Sequence, residues 1–125
     1  MGFDFGQKRI GVAIGQQLTG TASALGIVSA RDGKPNWSEL DSLIREWQPE
    51  LFVVGLPLNM DDSMSDIAIA AQRFARRIEA RYQIGYAMMD ERLSTFDARL
   101  QSDKENVDAI AAQLILESWL REQVS

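Results

Sequence analysis

One run of apolar residues limits the fold of this chain more than any other feature. Residues 51–56, Leu-Phe-Val-Val-Gly-Leu, are continuously apolar over the length of one strand and show no polar alternation. A strand of this kind is buried on both of its faces, as in sheets that carry helices on both sides. The sequence therefore predicts an α/β fold in which helices cover both faces of one sheet.

The residues before this strand predict a meander of three antiparallel strands. Residues 10–15 alternate large with small side chains, which is the period of a strand with one packed face. Residues 3–6 and 25–28 are the expected neighbouring strands, and polar or Gly-containing turns at 6–8 and 19–21 separate them from it.

Apolar residues at helical spacing predict the elements that surround the buried strand. One helix runs from a capping box of Asn36 and Glu39 to Pro49, and a second begins at Ser63 or Ser65. The remaining elements are a strand at residues 84–89, a short helix at 95–100 and a last helix at 106–122. The order βββαβαβα gives a mixed five-stranded sheet in one domain of residues 1–125.

The residue types present limit the chemistry. The chain has no Cys and no His, which excludes disulfides, thiolate nucleophiles, Ser-His-Asp triads and metals ligated by His or Cys. An enzyme of this composition works with carboxylates, hydroxyls, Lys, Arg and backbone groups, together with a cation that prefers oxygen ligands. No apolar run approaches the roughly 20 residues of a membrane-spanning helix, and no signal peptide begins the sequence. We therefore expect a cytoplasmic protein with no membrane partner.

Three acidic residues stand at positions where acids are unusual. Asp4 interrupts the first strand between two Phe residues, Glu91 follows the fifth strand next to Asp90, and Asp108 lies in the first turn of an apolar helix. If the last helix packs beside the first strand, these carboxylates meet at one end of the sheet, and a bound Mg²⁺ would relieve their mutual repulsion. Each also has an ordinary interpretation, as a solvent-facing strand residue, a loop acid and a helix-start acid respectively.

Basic residues are clustered more than the net charge of −5 suggests. Four arginines of the second helix share one face of it, and we call them the arginine row: Arg73, Arg76, Arg77 and Arg81. Such a row matches the backbone of a polyanion, and it is also typical of a solvated helix face. Lys8 and Arg9, beside the first strand, are the other candidate phosphate contacts.

Polar residues after Glu91 provide further candidate nucleic-acid contacts. Arg92, Ser94 and Thr95 follow it closely in sequence. The hydroxyl groups could orient a ligating carboxylate or hold a phosphate oxygen, and the alternative is that one of them caps the short helix that follows.

Motifs spread along the chain resemble those of one known family. Residues 4–13, Asp-Phe-Gly-Gln-Lys-Arg-Ile-Gly-Val-Ala, resemble the opening motif of the YqgF family. Residues 53–61 and 90–95 are similar to its second and third motifs, and residues 107–109 lead into a similar closing helix. Members of the family have a ribonuclease H-like fold and are described as pre-16S ribosomal RNA nucleases or, in older usage, as Holliday junction resolvases.

The resemblance implies a site and an activity. Asp4, Glu91 and Asp108 match the positions of the family's metal-binding and catalytic carboxylates. The resemblance implies an endonuclease that uses two Mg²⁺ or Mn²⁺ ions. One ion would activate the attacking water, and the other would stabilise the leaving 3′-oxygen. The expected substrate is structured RNA, specifically the 5′ end of pre-16S ribosomal RNA. The protein would act in ribosome biogenesis, with a ribosomal particle as a partner. The protein would be a monomer or a homodimer.

Two other functions stay open at this point. One is a Holliday junction resolvase-type DNA endonuclease, which acts on branched DNA with the same phosphodiester chemistry. The other is a non-catalytic nucleic-acid-binding module of ribosome assembly, in which the acids are retained but bind no metal.

The chain departs from the family pattern in two places. Asp62 stands where the family usually has Gly, and residues 99–105 form a shorter stretch than the loop that relatives carry there. Either this protein has lost the loop or the sequence lacks part of it, and a chain break between Ser102 and Asp103 would indicate the second.

Overall fold

The computed structural model describes residues 1–16, 18–57, 65–91 and 104–124. Within them the elements are, in chain order, β1 (Gly2–Asp4), β2 (Arg9–Gln16), β3 (Thr21–Arg31), β4 (Lys34–Pro35), α1 (Trp37–Trp47), β5 (Phe52–Pro57), α2 (Asp66–Tyr82), β6 (Tyr86–Glu91) and α3 (Lys104–Val124). No helix in these ranges combines the length and the apolar character that crossing a membrane requires.

The strands form one mixed sheet in the order β4-β3-β2-β1-β5-β6. The first four strands in the chain pair antiparallel, whereas β1, β5 and β6 run parallel to one another. The central strand β1 is therefore joined to the meander on one side and to the two crossover units on the other. The carboxyl ends of β1, β5 and β6 consequently lie at the same end of the sheet.

Side-chain alternation divides the core between the two faces of the sheet. Phe3, Val12 and Phe52 belong to one cluster, which they share with residues of α1 and α2. Ala13 and Val53 belong to the other, which they share with residues of α3. Helices thus cover both faces, which confirms the expected α/β class.

Helix α3 lies close to the sheet because the strand residues beneath it are small. A Cβ atom added at Gly2 would lie 2.8 Å from the Cβ of Leu116, and one at Gly15 would lie 3.0 Å from Leu116 and Leu120 side-chain atoms. The alternation of large and small residues along β2 is explained by this packing, since the large side chains face α1 and α2 and the small ones face α3.

The helices begin and end at recognisable caps. The Asn36 side chain accepts hydrogen bonds from the backbone N–H groups of Ser38 and Glu39, and Ser65 caps α2 through a hydrogen bond from the Ala68 N–H. The expected capping box is only half formed, because the Glu39 carboxylate accepts hydrogen bonds from Ser29 and from the Asn36 side-chain amide.

The sheet has one strand more than the five expected. The extra strand is β4, which pairs with the end of β3 across a turn in which Asp32 and Gly33 have φ angles of 52° and 82°. Asp-Gly is a favoured sequence for such tight hairpin turns, so β4 could have been predicted from the sequence but was missed. Asp90 and Glu91 are the last two residues of β6 rather than loop residues beyond it. The short helix expected at residues 95–100 and the departures at Asp62 and at 99–103 lie outside the described residues.

Candidate active site

Asp4 is the last residue of β1 and is only 5% exposed, the one buried charged side chain in the described part of the chain. Its neighbours Phe3 and Phe5 belong to the cluster on the α1–α2 face of the sheet. Because successive strand residues alternate, Asp4 lies on the opposite face, which α3 covers. A carboxylate at so low an exposure is costly unless it is paired or binds a metal ion.

Asp108 is placed beside this strand by a close contact with Gly11. A Cβ atom added at Gly11 would lie 1.8 Å from the backbone oxygen of Asp108, so that only glycine lets α3 approach this closely. Gly11 is also the cross-strand partner of Asp4. One glycine therefore contacts the first turns of α3 and pairs with Asp4. The structure brings Asp4 and Asp108, two of the three predicted carboxylates, to one face at one end of the sheet.

Arg9 lies next to Asp108 at the start of β2. Its Nε atom is 3.6 Å from Oδ2 of Asp108, and the two side chains are 37% and 24% exposed. The turn before it is tight, since a Cβ atom at Gly6 would lie 2.5 Å from the carbonyl oxygen of Arg9. Lys8 is exposed in the same turn, and its carbonyl oxygen accepts a hydrogen bond from the Ala30 N–H. Both predicted basic residues are thus at the acidic end of the sheet.

Glu91, the third predicted carboxylate residue, is the last residue of β6. The backbones of Asp90 and Glu91 pair with those of Leu56 and Pro57, at the carboxyl end of the parallel strands. Asp90 is exposed and shares a strand face with Met88, which packs against the α1–α2 cluster, so Asp90 lies on the face opposite to Asp4. The side chain of Glu91 lies outside the described residues, as do Arg92, Ser94 and Thr95.

The donor atoms at this end of the sheet suit a hard divalent cation. Asp4 and Asp108 offer only carboxylate oxygens, and the whole chain contains no His or Cys that could provide a softer ligand. Among the side chains that the structure describes, which do not include that of Glu91, no three acidic groups come together as a metal-binding set. The two described carboxylates therefore fit Mg²⁺ or Mn²⁺ as part of a site.

The arginine row lies on the other side of the molecule. All four of its side chains are exposed on α2. Helix α2 packs through Phe74 and Ile78 on the sheet face opposite to the one that carries Asp4 and α3. The structure therefore does not bring the row to the carboxylates.

One member of the row has a structural role that its sequence position does not reveal. Arg81 donates through Nε and Nη2 to the two carboxylate oxygens of Asp41, at 3.0 and 2.8 Å, and its guanidinium stacks 4.6 Å from the centre of the Trp37 ring. Tyr82 donates its hydroxyl to the same carboxylate at 2.5 Å. Hydrogen bonds from Arg81 and Tyr82 lower the pKa of Asp41 from 3.8 to about 2, and burial is the main cause that raises the pKa of Tyr82. No periodic pattern links residues 40 positions apart, so sequence reasoning missed this α1–α2 contact.

A groove of about 930 Å³ opens at the opposite end of the sheet from the carboxylates. Its walls are both apolar and polar and come from the end of α1, the amino end of β5, the last turns of α3, the end of β2 and the start of β3; they include Trp47, Leu51 and Trp119. The groove contains none of the predicted site residues.

Known proteins resemble the chain over almost its whole length. A protein of Aeromonas salmonicida (strain A449) named "Putative pre-16S rRNA nuclease" is 50% identical over 132 residues, which cover 98% of this chain and 94% of that protein. A protein of the same name from Yersinia enterocolitica (serotype O:8 / biotype 1B) is 51% identical over 130 residues, covering 97% and 93%. Both matched regions are longer than the 125 residues of this chain, so each relative has residues within the match for which this chain has no counterpart.

A solved structure shows the same fold. The RuvC protein of Thermus thermophilus, in complex with a Holliday junction substrate, superposes with a TM-score of 0.53 and covers 98% of this chain and 93% of its own. At 12% sequence identity this similarity concerns the fold alone. The RuvX family, described as Holliday junction resolvase, matches residues 1–122. With the identity to the curated relatives, this match confirms the resemblance read from the motifs: the chain belongs to the RuvX family of nucleases, also called YqgF.

Proposed function

We propose that this nuclease depends on a divalent metal and that its active site lies where β1, β6 and α3 meet, with Asp4, Glu91 and Asp108 as the ligating carboxylates. One observation carries the proposal. Gly11 pairs with Asp4 and at the same time contacts the backbone of Asp108, which places two carboxylate residues from distant parts of the chain at one end of the sheet.

Strand alternation favours Glu91 over Asp90 as the third ligand. Met89 packs against the cluster on the α3 face, and position 91 follows it by two residues in β6. Position 91 therefore falls on the face that carries Asp4, whereas Asp90 falls on the other. The family motif supports the same choice, because Glu91 stands at the position of the family's carboxylate.

The residues of the chain would bind and orient the scissile phosphate. A divalent cation held by the three carboxylates would activate the attacking water and stabilise the charge on the leaving oxygen. Arg9 and Lys8, at the same end of the sheet, would bind phosphate oxygens, Arg9 through its planar donor fork. With no His in the chain, no imidazole takes the proton of the attacking water. Arg92, Ser94 and Thr95 stay predictions as further contacts.

We propose structured RNA as the substrate, and specifically the 5′ end of pre-16S ribosomal RNA. The support is the name that curated relatives about half identical over almost the whole chain carry. Such a protein would act in the cytoplasm, on RNA in a ribosomal particle, as one nuclease domain of residues 1–125. The family description supports a second candidate, a branched DNA junction cut by the same chemistry.

The arginine row would contact a different part of the nucleic acid from the scissile phosphate. Arg73, Arg76 and Arg77 are exposed, and none of them forms an ion pair with another described side chain. Because they lie across the sheet from Asp4, a short substrate bound at the carboxylates would not reach them. Arg81 is held by Asp41 and is the least available of the four.

Cleavage of a precursor RNA and of a four-way DNA junction, at equal enzyme and Mg²⁺ concentrations, tests the proposal. The Glu91→Gln variant should lose at least about a hundredfold in rate, because a metal ligand is removed. The matched control Asp90→Asn, on the opposite strand face, should keep a rate within about twofold of the original, as expected for an exposed residue. Loss of activity in Asp90→Asn with full activity in Glu91→Gln would contradict the assigned site. Preferred cleavage of the junction would favour the resolvase function, and cleavage of neither nucleic acid would favour the non-catalytic module.

A further inference from the structure

We propose that Arg9 competes with the divalent cation for Asp108 and moves to a substrate phosphate when nucleic acid binds, so that metal and nucleic acid bind cooperatively. This inference rests on the metal site of the proposed function. It adds a positioning residue and a coupling between two ligands.

The geometry of the Arg9–Asp108 pair is that of a contact that can be released. The separation of 3.6 Å between Nε and Oδ2 exceeds the length of a hydrogen bond, and both side chains are partly exposed. Exposed ion pairs of this kind contribute little to stability. The Arg81–Asp41 pair is no more buried and differs only in its contacts, because two hydrogen bonds of 3.0 and 2.8 Å and a stacked Trp37 ring hold that guanidinium in place.

Charge explains why Arg9 and a metal ion would exclude each other at Asp108. A guanidinium within 4 Å of a carboxylate satisfies part of its charge and repels a divalent cation that approaches the same oxygens. Arg9 is the described basic residue that forms an ion pair with Asp108, so it is the group that the cation has to displace. In the absence of substrate the pair should therefore weaken metal binding.

A phosphate group offers Arg9 a better partner than Asp108. Guanidinium and phosphate form paired, charge-assisted hydrogen bonds, and the neighbouring exposed Lys8 adds positive charge to the same turn. When Arg9 turns to a phosphate, Asp108 becomes available to the cation. Linkage then requires that the metal also increases the affinity for nucleic acid, by the same factor.

Calorimetric titration of the intact chain with Mn²⁺, without nucleic acid, tests the competition. The Arg9→Gln variant should bind Mn²⁺ about three- to tenfold more tightly than the original protein, because the competing charge is gone. Arg31→Gln is the matched control. It removes the same charge from an exposed position on β3, two residues beyond Ser29, the cross-strand partner of Arg9. Its Mn²⁺ affinity should be unchanged. Arg9→Lys keeps the positive charge and should retain the original affinity.

The same titration in the presence of a short RNA, whose integrity is checked on a gel afterwards, tests the coupling. RNA should tighten Mn²⁺ binding by the original protein severalfold more than it tightens that by Arg9→Gln, while Arg9→Gln binds the RNA itself more weakly. A residue with a purely structural role would not tighten metal binding when it is replaced.

The possible results separate this inference from the proposed function. Equal or weaker Mn²⁺ binding by Arg9→Gln overturns the inference, as does equal tightening in Arg31→Gln, which would show a general charge effect. An absence of Mn²⁺ binding in both the original protein and Arg9→Gln overturns the inference and the metal site together. Tighter binding by Arg9→Gln in a protein that cleaves neither RNA nor DNA would support the inference and contradict the proposed nuclease mechanism.

Discussion

Among the described residues, two ion pairs each join an Arg to an Asp, but they differ in geometry and in role. On the α1–α2 side, Arg81 and Asp41 are joined by two short hydrogen bonds, with Trp37 and Tyr82 packed around them. On the α3 side, Arg9 and Asp108 face each other at 3.6 Å with no hydrogen bond between them. The first pair joins two helices, whereas the second lies at the end of the sheet where Asp4 is buried.

The difference separates an ion pair that contributes to stability from one that is available for function. An ion pair in which both carboxylate oxygens accept hydrogen bonds from the guanidinium holds its two helices together and leaves the carboxylate less available to a ligand. A loosely joined pair beside a buried carboxylate leaves charge that a cation or a phosphate can satisfy. Variants of the Arg81–Asp41 pair should therefore change stability, and variants of Arg9 and Asp108 should change binding and catalysis.

The largest expected effect comes from Gly11→Ala, which should reduce both stability and cleavage. The added Cβ would lie 1.8 Å from the Asp108 oxygen and 2.9 Å from the Ala109 nitrogen, so α3 must move away from β2. We expect a loss of about 1–3 kcal/mol in the free energy of unfolding, as in other overpacked cores. Cleavage should fall together with it, since Asp108 moves. Urea denaturation and cleavage rates check both.

Gly85→Ala is the matched control for this substitution. Its added Cβ would make only an ordinary contact, at 3.9 Å from Leu51. Both stability and cleavage should stay close to those of the original protein. Equal effects of the two substitutions would contradict the idea that Gly11 positions Asp108.

The next largest effect is the pH dependence of the stability that the Arg81–Asp41 ion pair contributes. Since the folded protein lowers the pKa of Asp41 from 3.8 to about 2, the ionised carboxylate stabilises the fold above about pH 4. This contribution is lost as the pH falls through the folded-state value. The Asp41→Asn variant should therefore unfold at a lower temperature than the original protein at pH 7, and the difference should shrink as the pH approaches 2. Thermal unfolding followed by circular dichroism at several pH values measures it.

Cleavage by Asp41→Asn at neutral pH should be unchanged below its unfolding temperature. The exposed Asp90 offers a comparison, because Asp90→Asn should unfold at the original temperature. A large loss of cleavage in folded Asp41→Asn would contradict the purely structural role of the Arg81–Asp41 pair.

The smallest effect is expected from the arginine row. Reversing Arg73 and Arg77 to Glu should weaken the binding of a long RNA and flatten its salt dependence by about one unit of slope for each phosphate that is no longer bound. A short RNA that covers only the carboxylate end should bind as before, and cleavage of bound RNA should hardly change. Fluorescence anisotropy at several salt concentrations measures the slope, and an unchanged slope with long RNA would identify the row as a solvated helix face.

Sequence reasoning reached much of the fold because its signals were local. The apolar run 51–56 predicted a strand buried on both faces. The alternation along β2 predicted only one packed face, whereas helices pack on both faces of this strand. The same reasoning missed β4, whose two residues are too few to show a period, although the Asp-Gly turn before it was a usable signal. It also placed Asp90 and Glu91 beyond β6, which is a shift of two residues at an element boundary.

Only part of the candidate site could be predicted from the sequence. The unusual positions of Asp4 and Asp108 marked them as candidates. The structure packs α3 beside β1, which was the condition for the two residues to meet. The pairing of Arg9 with Asp108 and of Arg81 with Asp41 depends on how helices cross the sheet, and no local pattern encodes that arrangement. For the same reason the helical spacing of the arginine row correctly grouped its members but did not show which face of the sheet they occupy.

The most direct test of the central claim is mapped cleavage of a 5′-labelled pre-16S ribosomal RNA in Mg²⁺ by Asp4→Asn and Asp41→Asn, together with their unfolding temperatures. Asp4→Asn should lose at least about a hundredfold in cleavage while it remains folded at the assay temperature, because a metal ligand is removed. Asp41→Asn should cut at the original sites and rate, and unfold at a lower temperature. Cleavage by Asp4→Asn at the original sites and rate would contradict the assignment of the active site to the α3 face.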